Sequence, residues 1–568
     1  MRLLFRGHAR TACLLLLPFL SLATPAHGAS IDLTIGTAMV EIDGRSVPKM
    51  VVNGGLPGPT LRLREGEDAT ITVTNRTDAV TSVHWHGLLL PGMMDGAPGF
   101  NGFLGIRPGE AFTYTFPVRQ SGTYWYHSHS GTQDQSVLGA LVIDPAVPDT
   151  VLADRDHVVL LGDATPEDSD QVLANLKGNA AHYRVAGRTL FDLIADIGRD
   201  GAGAAMRDRM AWGAMRMDPT DLADVTGYTF LANGKDPHAN ETFVFRRGER
   251  LRLRLINGSA MTFFDVRIPG LRMSVVAADG NDVEPVMVDE LRIGVAERYD
   301  VIVEPDGPGP WTLVAESLDR TGFARVTLAT TPGQAGPVPA MRPRALLTMA
   351  DMGSAHADHA GHTDHAGHAG HEHARPSGWA SGFPADARVL AYADLKARVP
   401  NIDTGEPVRT ITVRLTGNME RYVWSLNDRK FDQAEPLRVR FGERVRLTFV
   451  NETMMAHPVH LHGQFFQVEN GQSDRKPLKD TVIVAPGAAV SVVLTAREVG
   501  SWPLHCHLLY HMEAGMMTRF VVGPPTAMGD PTPHGDTVIL TTHEGHGDGH
   551  AHHEASGHGD HGAHGAAR

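Results

Sequence analysis

One tripeptide constrains this chain more than any other feature: His505-Cys506-His507, followed closely by His511 and Met516. If the segment is extended, His505 and His507 point to one face and Cys506 to the other. It then serves two metal centres back to back, and the fold must bring partners to both faces. Thiolate, imidazole and thioether are the ligand types of a blue copper site. An electron held near Cys506 would have only the neighbouring peptide bonds to cross to reach the flanking histidines.

Three further His-x-His pairs supply those partners: His84-Trp85-His86, His127-Ser128-His129 and His460-Leu461-His462. Together the four pairs offer eight imidazoles, enough to ligate three coppers with positions left for oxygen. Remaining for a separate mononuclear site are His457, Cys506, His511 and Met516, the last as a weak axial ligand. Chance clustering is a poor explanation. Outside the leader and two histidine-rich tracts there are fourteen histidines, and ten of them fall in these clusters. Because two pairs lie early and two late, the shared cluster must sit where the first and last parts of the chain meet.

At 568 residues the chain is too long for one core and should hold about three domains. Runs such as Leu251-Arg252-Leu253-Arg254-Leu255 and Val445-Arg446-Leu447-Thr448-Phe449 alternate with period two, and 61 Gly with 36 Pro punctuate the chain densely. Both favour an all-β fold. The phrases Arg64-Glu65-Gly66-Glu67, Arg247-Gly248-Glu249-Arg250 and Phe441-Gly442-Glu443-Arg444 each precede a strand that ends in an asparagine turn, at Asn75, Asn257 and Asn451. We read three copies of one β-domain, sandwiches with Greek-key connections, at residues 30–147, 151–335 and 385–524. A formal charge of −14 excludes the basic face that a nucleic-acid partner requires.

Residues 1–28 read as a signal peptide, with Arg2, Arg6 and Arg10 ahead of a short apolar run from Leu14 to Leu22 and small residues near Ala26. That run is too short to span a bilayer, so no stable membrane insertion is expected. After cleavage Cys506 would be the sole cysteine, unable to pair internally, which favours a metal ligand over a structural thiol. Residues 345–380 form a His-rich linker and 525–568 a His-rich tail. Histidine recurs through 356–373 and 543–564 among Gly, Ala and Asp, a composition that expects disorder and weak, exchangeable copper binding. Met206, Met210, Met215 and Met217 surround Trp212 in a segment expected to be helix or loop, either gap-filling or a soft patch for Cu(I).

Reducing dioxygen to water takes four electrons and four protons, so an acid is needed near the cluster. Asp95 lies nine residues after His86 on a glycine-rich loop able to fold back toward it, and is the catalytic candidate; a plain turn aspartate is the alternative.

With these residues assembled, the chain resembles the multicopper oxidases, and among them the bacterial copper-resistance protein A group. The phrases that carry the resemblance are His84-Trp85-His86-Gly87, Tyr124 to Gly131, His457 to Gly463, His505 to Met516 and, in the second domain, Met215 to Asp221. It implies three cupredoxin domains and four copper ions. One is type 1. One is type 2, on His84 and His460. Two are type 3, on His86, His127, His129, His462, His505 and His507. It also implies a proton-relay role for Asp95, oxygen as acceptor, Cu(I) or a phenol as donor, and a periplasmic or secreted location. Many relatives carry a glutamate where this chain has Met512, twin arginines where its leader has spaced ones, and methionine where its low-complexity inserts have histidine.

Two functions therefore compete. One is an oxidase for Cu(I) or small aromatic reductants in copper tolerance; the other is a copper-sequestering protein whose catalysis is secondary. A nitrite reductase would not need eight paired histidines. O2, a small reductant or Cu(I), and a monomeric state complete the expected partners.

Overall fold

The computed structural model describes residues 28–184, 187–214, 218–344, 346–348, 379 and 382–524. The leader, the His-rich tracts and Met215 and Met217 lie outside them.

Among the described residues strands dominate, and they form six sheets, two in each of three successive stretches of chain. The stretches share one plan. In the first, Ala29–Ile42 runs parallel to Asp68–Asn75, and Leu61–Arg64 parallel to Leu138–Asp144. In the second, Arg155–Ala164 runs parallel to Leu251–Asn257, and Glu241–Val244 parallel to Phe323–Ala329. In the third, Arg409–Asn418 runs parallel to Arg444–Asn451, and Leu437–Arg440 parallel to Met517–Gly523. Each stretch is thus a two-sheet sandwich that repeats the others' strand pairing.

The asparagine turns explain why the repeat is visible in sequence. Each side chain is buried at the end of its strand and ties the next loop back to the sheet. Asn257 Nδ2 donates to the carbonyls of Thr262 (2.8 Å) and Ile293 (3.1 Å) while its Oδ1 accepts from the Ser259 N–H (3.1 Å). Asn75 and Asn451 do the same for their own loops. Replacing Asn257 with Ala strands three buried backbone groups and should cost about 3 kcal/mol. The measurement is the denaturant midpoint of the full chain, and an unchanged midpoint would contradict this role.

Two features depart from the sequence reading. Arg444–Asn451 alternates between buried and half-buried positions as expected, but every residue of Leu251–Asn257 is buried. The polar face of that strand meets the first sandwich, and its arginines are paired: Arg254 with Asp156 and Asp300 of its own sandwich and with Thr123 Oγ1 of the first, Arg252 with Asp149 of the link between them. Buried charge is tolerable only when paired in this way. The second stretch also carries three helices, Ser169–Gly178, Leu190–Asp200 and Ala202–Ala214. The Met-rich segment falls on the last of these up to Ala214, with Trp212 buried and Met206 and Met210 exposed. No helix among the described residues is long and apolar enough to cross a membrane.

Candidate metal centre

The four His-x-His pairs sit on strands or at strand ends that the fold brings together. His84–His86 pairs with Gly122–His127, and His457–Leu461 pairs with Gly500–Cys506, placing His460 opposite His505. All eight imidazoles are buried, with rings packed face or edge toward one another. His84 stacks on His462 and His86 on His460, each with centroids 3.8 Å apart. His129, His462 and His505 converge on their Nε2 atoms, with His505 Nε2 3.1 Å from His462 and 3.5 Å from His129. Residues from the first and third sandwiches thus share one chamber.

The donor chemistry suits metal ions. His84 Nε2, His86 Nδ1, His460 Nε2 and both nitrogens of His507 are buried with no hydrogen-bond partner among the described residues. Buried lone pairs of that kind are costly unless something fills the space between them. Burial, reinforced by neighbouring imidazoles, pulls His86, His129, His462, His505 and His507 well below the usual histidine range and lowers His460. They are therefore neutral, the form that binds metal.

On the opposite face of the same strand lies the second group. Cys506 Sγ is 3.5 Å from His457 Nδ1 and 3.8 Å from His511 Nδ1, and the two nitrogens are 3.1 Å apart. A point equidistant from the three atoms is about 2 Å from each, the length of a metal–imidazole bond. Burial pushes the Cys506 thiol up, so only a bound cation would make it a thiolate at neutral pH. Met516 is buried in the loop after His511; its carbonyl accepts from the Cys506 N–H (3.1 Å) and its N–H donates to the His511 carbonyl (3.0 Å).

The outer nitrogens of these rings are held in turn. His457 Nε2 is 2.6 Å from Thr453 Oγ1, and His511 Nε2 is 2.7 Å from Asp224 Oδ2, which also accepts from the Tyr422 hydroxyl (2.7 Å). Trp424 stacks on His511 at 3.9 Å. Such partners fix ring orientation and ligand basicity. In the histidine chamber Asp95 takes that part. It closes the short helical turn Gly92–Asp95 and is buried. Its carbonyl is 2.8 Å from His84 Nδ1 and its Oδ2 2.9 Å from His462 Nδ1. The glycine-rich loop does fold back onto the cluster.

Three charged residues that sequence reasoning passed over stand beside these sites. Asp224 comes from the second sandwich. Asp480, at the start of Thr481–Val484, places Oδ1 3.3 Å from His86 Nε2, and its carbonyl is 2.9 Å from His460 Nδ1. Burial alone would raise the Asp480 carboxyl, but the Arg298 guanidinium beside it holds it well below the usual carboxylate range. For Asp480 the available signal was an adjacent pair of opposite charges directly ahead of an apolar strand, Lys479-Asp480-Thr481-Val482-Ile483-Val484.

Three stretches, residues 34–147, 155–333 and 405–526, match family profiles described as multicopper oxidase. The chain belongs to the multicopper oxidase family. This oxidase is 46% identical over 540 residues to the copper resistance protein A homolog of Pseudomonas syringae pv. tomato (strain ATCC BAA-871 / DC3000), covering 86% of its own length and 91% of that protein. It is 44% identical over 571 residues to copper resistance protein A of Escherichia coli, covering 88% and 93%. Among solved structures it is similar to Fet3p, a multicopper oxidase that functions in iron import, with TM-score 0.65, 19% identity and coverage of 87% and 90%. The laccase from Botrytis aclada gives TM-score 0.61 at 21% identity, with 87% of each chain covered. The oxidase accordingly has the mostly-strand, cupredoxin-like fold of these proteins, and its family makes it a copper-dependent oxidoreductase.

Proposed function

We propose that this oxidase serves copper tolerance outside the cytoplasm, oxidising Cu(I), or phenolic reductants, one electron at a time and reducing O2 to water. The reading assigns four coppers. His457, Cys506 and His511, with Met516 as a weak fourth ligand, would hold a type 1 centre; His84 and His460 would hold a type 2 centre; and His86, His127, His129, His462, His505 and His507 would hold a type 3 pair. Bound there, copper supplies one-electron transfer at the first centre and four-electron delivery to oxygen at the others. One observation carries the reading. Cys506 Sγ forms the third corner of a triangle with His457 Nδ1 and His511 Nδ1, while its own carbonyl is 3.0 Å from His505 Nδ1, so a single residue touches both donor groups.

The protein's own groups do the rest. Asp224 and Thr453 orient the type 1 rings, Asp95 orients His84 and His462 and supplies protons, and burial keeps bulk water from the cluster. The name shared by two relatives, copper resistance protein A, supports copper tolerance as the setting. Exposed Met206 and Met210 suit a soft Cu(I) donor. We further read residues 30–147, 151–335 and 385–524 as the domain limits, a leader at 1–28 that directs export to the periplasm, and a monomer.

The test is oxygen uptake by the copper-loaded full chain with Cu(I), Fe(II) and a phenol. Uptake with Cu(I), together with strong red absorption, is expected. Deleting 356–373 and 543–564 should leave turnover near the parent rate. The sequestration alternative, in which catalysis is secondary, expects copper protection to disappear with the tracts.

A further inference from the structure

The second sandwich contributes no histidine to the chamber, yet one of its side chains reaches the chamber wall. Arg298 opens the strand Arg298–Val303 and is fully buried. Its Nη1 donates to Asp480 Oδ1 (2.7 Å) and its Nη2 to Asp480 Oδ2 (2.5 Å), a two-pronged pairing of planar guanidinium and carboxylate. Nη1 also donates to the Ala296 carbonyl (3.0 Å) and Nε to the Thr123 carbonyl (3.4 Å) of the first sandwich, while the guanidinium lies 5.6 Å from the Tyr124 ring centre. The carboxylate so held stands between ligand rings of two other sandwiches. Asp480 Oδ1 is 3.3 Å from His86 Nε2 and 3.6 Å from His460 Nδ1.

We infer that Arg298 is a positioning residue for the copper chamber, fixing Asp480 and through it the stacked rings of His86 and His460. Neighbouring charges leave it this task. Lys479 is engaged with Asp279 and Glu297 at 3.0 and 3.1 Å, and Asp279 accepts from the Arg298 backbone N–H. The first sandwich makes room for the pair. At Gly87, with φ +82°, a Cβ would stand 2.5 Å from Asp480 Oδ2 and 2.6 Å from Arg298 Nη2. A lysine at 298 would keep the charge but lose the fork that locks the carboxylate plane.

This inference rests on the ligand assignment above, so its experiment separates the two. Copper-loaded full-length Arg298→Lys and Arg298→Met are compared with the parent by electron paramagnetic resonance of the type 2 copper, by release of that copper to a chelator, and by red absorption. Both variants should release type 2 copper about 10- to 100-fold faster with altered hyperfine splitting, Arg298→Met the more strongly, and with red absorption retained. Should Arg298→Met fail to fold around the unpaired Asp480, Arg298→Lys alone carries the comparison. Parent-like release and splitting in Arg298→Lys overturns the inference, as does an equal weakening of the Cys506 centre. A parent protein without a type 2 signal defeats the ligand assignment itself.

Discussion

Cys506→Ser removes the red absorption of the copper-loaded protein, drops oxygen consumption to the assay background, and lowers the copper content by one ion per chain. The hydroxyl cannot replace a thiolate as a soft ligand, and the band arises from sulfur-to-copper charge transfer. The substitution removes little volume, and the site is fully buried among Leu504, Leu508 and Trp502 on a strand whose pairing does not depend on the thiol. Folding should survive, and copper in the histidine chamber should stay, because none of its donor atoms belongs to Cys506. Absorption spectroscopy and elemental analysis of one purified sample decide the matter. A blue, active Cys506→Ser protein would remove the basis of the proposed electron path.

Asp95→Asn is expected to act at the other end of that path. The amide keeps the shape of the side chain and leaves the backbone carbonyl beside His84 Nδ1 in place, but it replaces the carboxylate oxygen 2.9 Å from His462 Nδ1. It removes the carboxyl group that both holds the His462 ring and can carry a proton near the cluster. Loss of a positioned general acid costs about 10²- to 10⁴-fold in turnover. Because Asp95 contacts neither Cys506 nor its two imidazole partners, kcat/KM for the reductant and the red band should be unchanged, while KM falls together with kcat. Rapid mixing gives a clean readout. Anaerobic bleaching by reductant should keep its parent rate, and the return of colour on adding oxygen should slow. Equal slowing of both phases would show that Asp95 serves the fold at large.

The comparison of sequence with structure divides by distance along the chain. His-x-His pairs are legible because two-residue periodicity and ligand spacing are local, and the asparagine turns are legible because each serves a loop a few residues away. Asp95 was within reach for the same reason, since its loop closes on His84 eleven residues earlier. Asp224 and Arg298 were not. They meet His511 and Asp480 across 287 and 182 residues, and a single acidic or basic residue carries no period that announces its partner. Arg252 and Arg254 gave a false cue, because alternation marks a polar face whether solvent or another sandwich covers it. The helix Leu190–Asp200 carries a capping box, in which Thr189 and Asp192 exchange hydrogen bonds, a local signal that the reading by strand period left unused.

The convergence of His129, His462 and His505 also bears on the order in which the protein is made. Of the five buried donor groups, four need residues beyond position 456. A chain that stops short of His457 presents only the His84, His86 and His127 set of these groups, and on the proposed assignment it lacks the Cys506 that would feed that set electrons. On the proposed assignment, electron entry therefore waits for residues 457–516, and a polypeptide that has not reached them lacks a route from a reductant to oxygen.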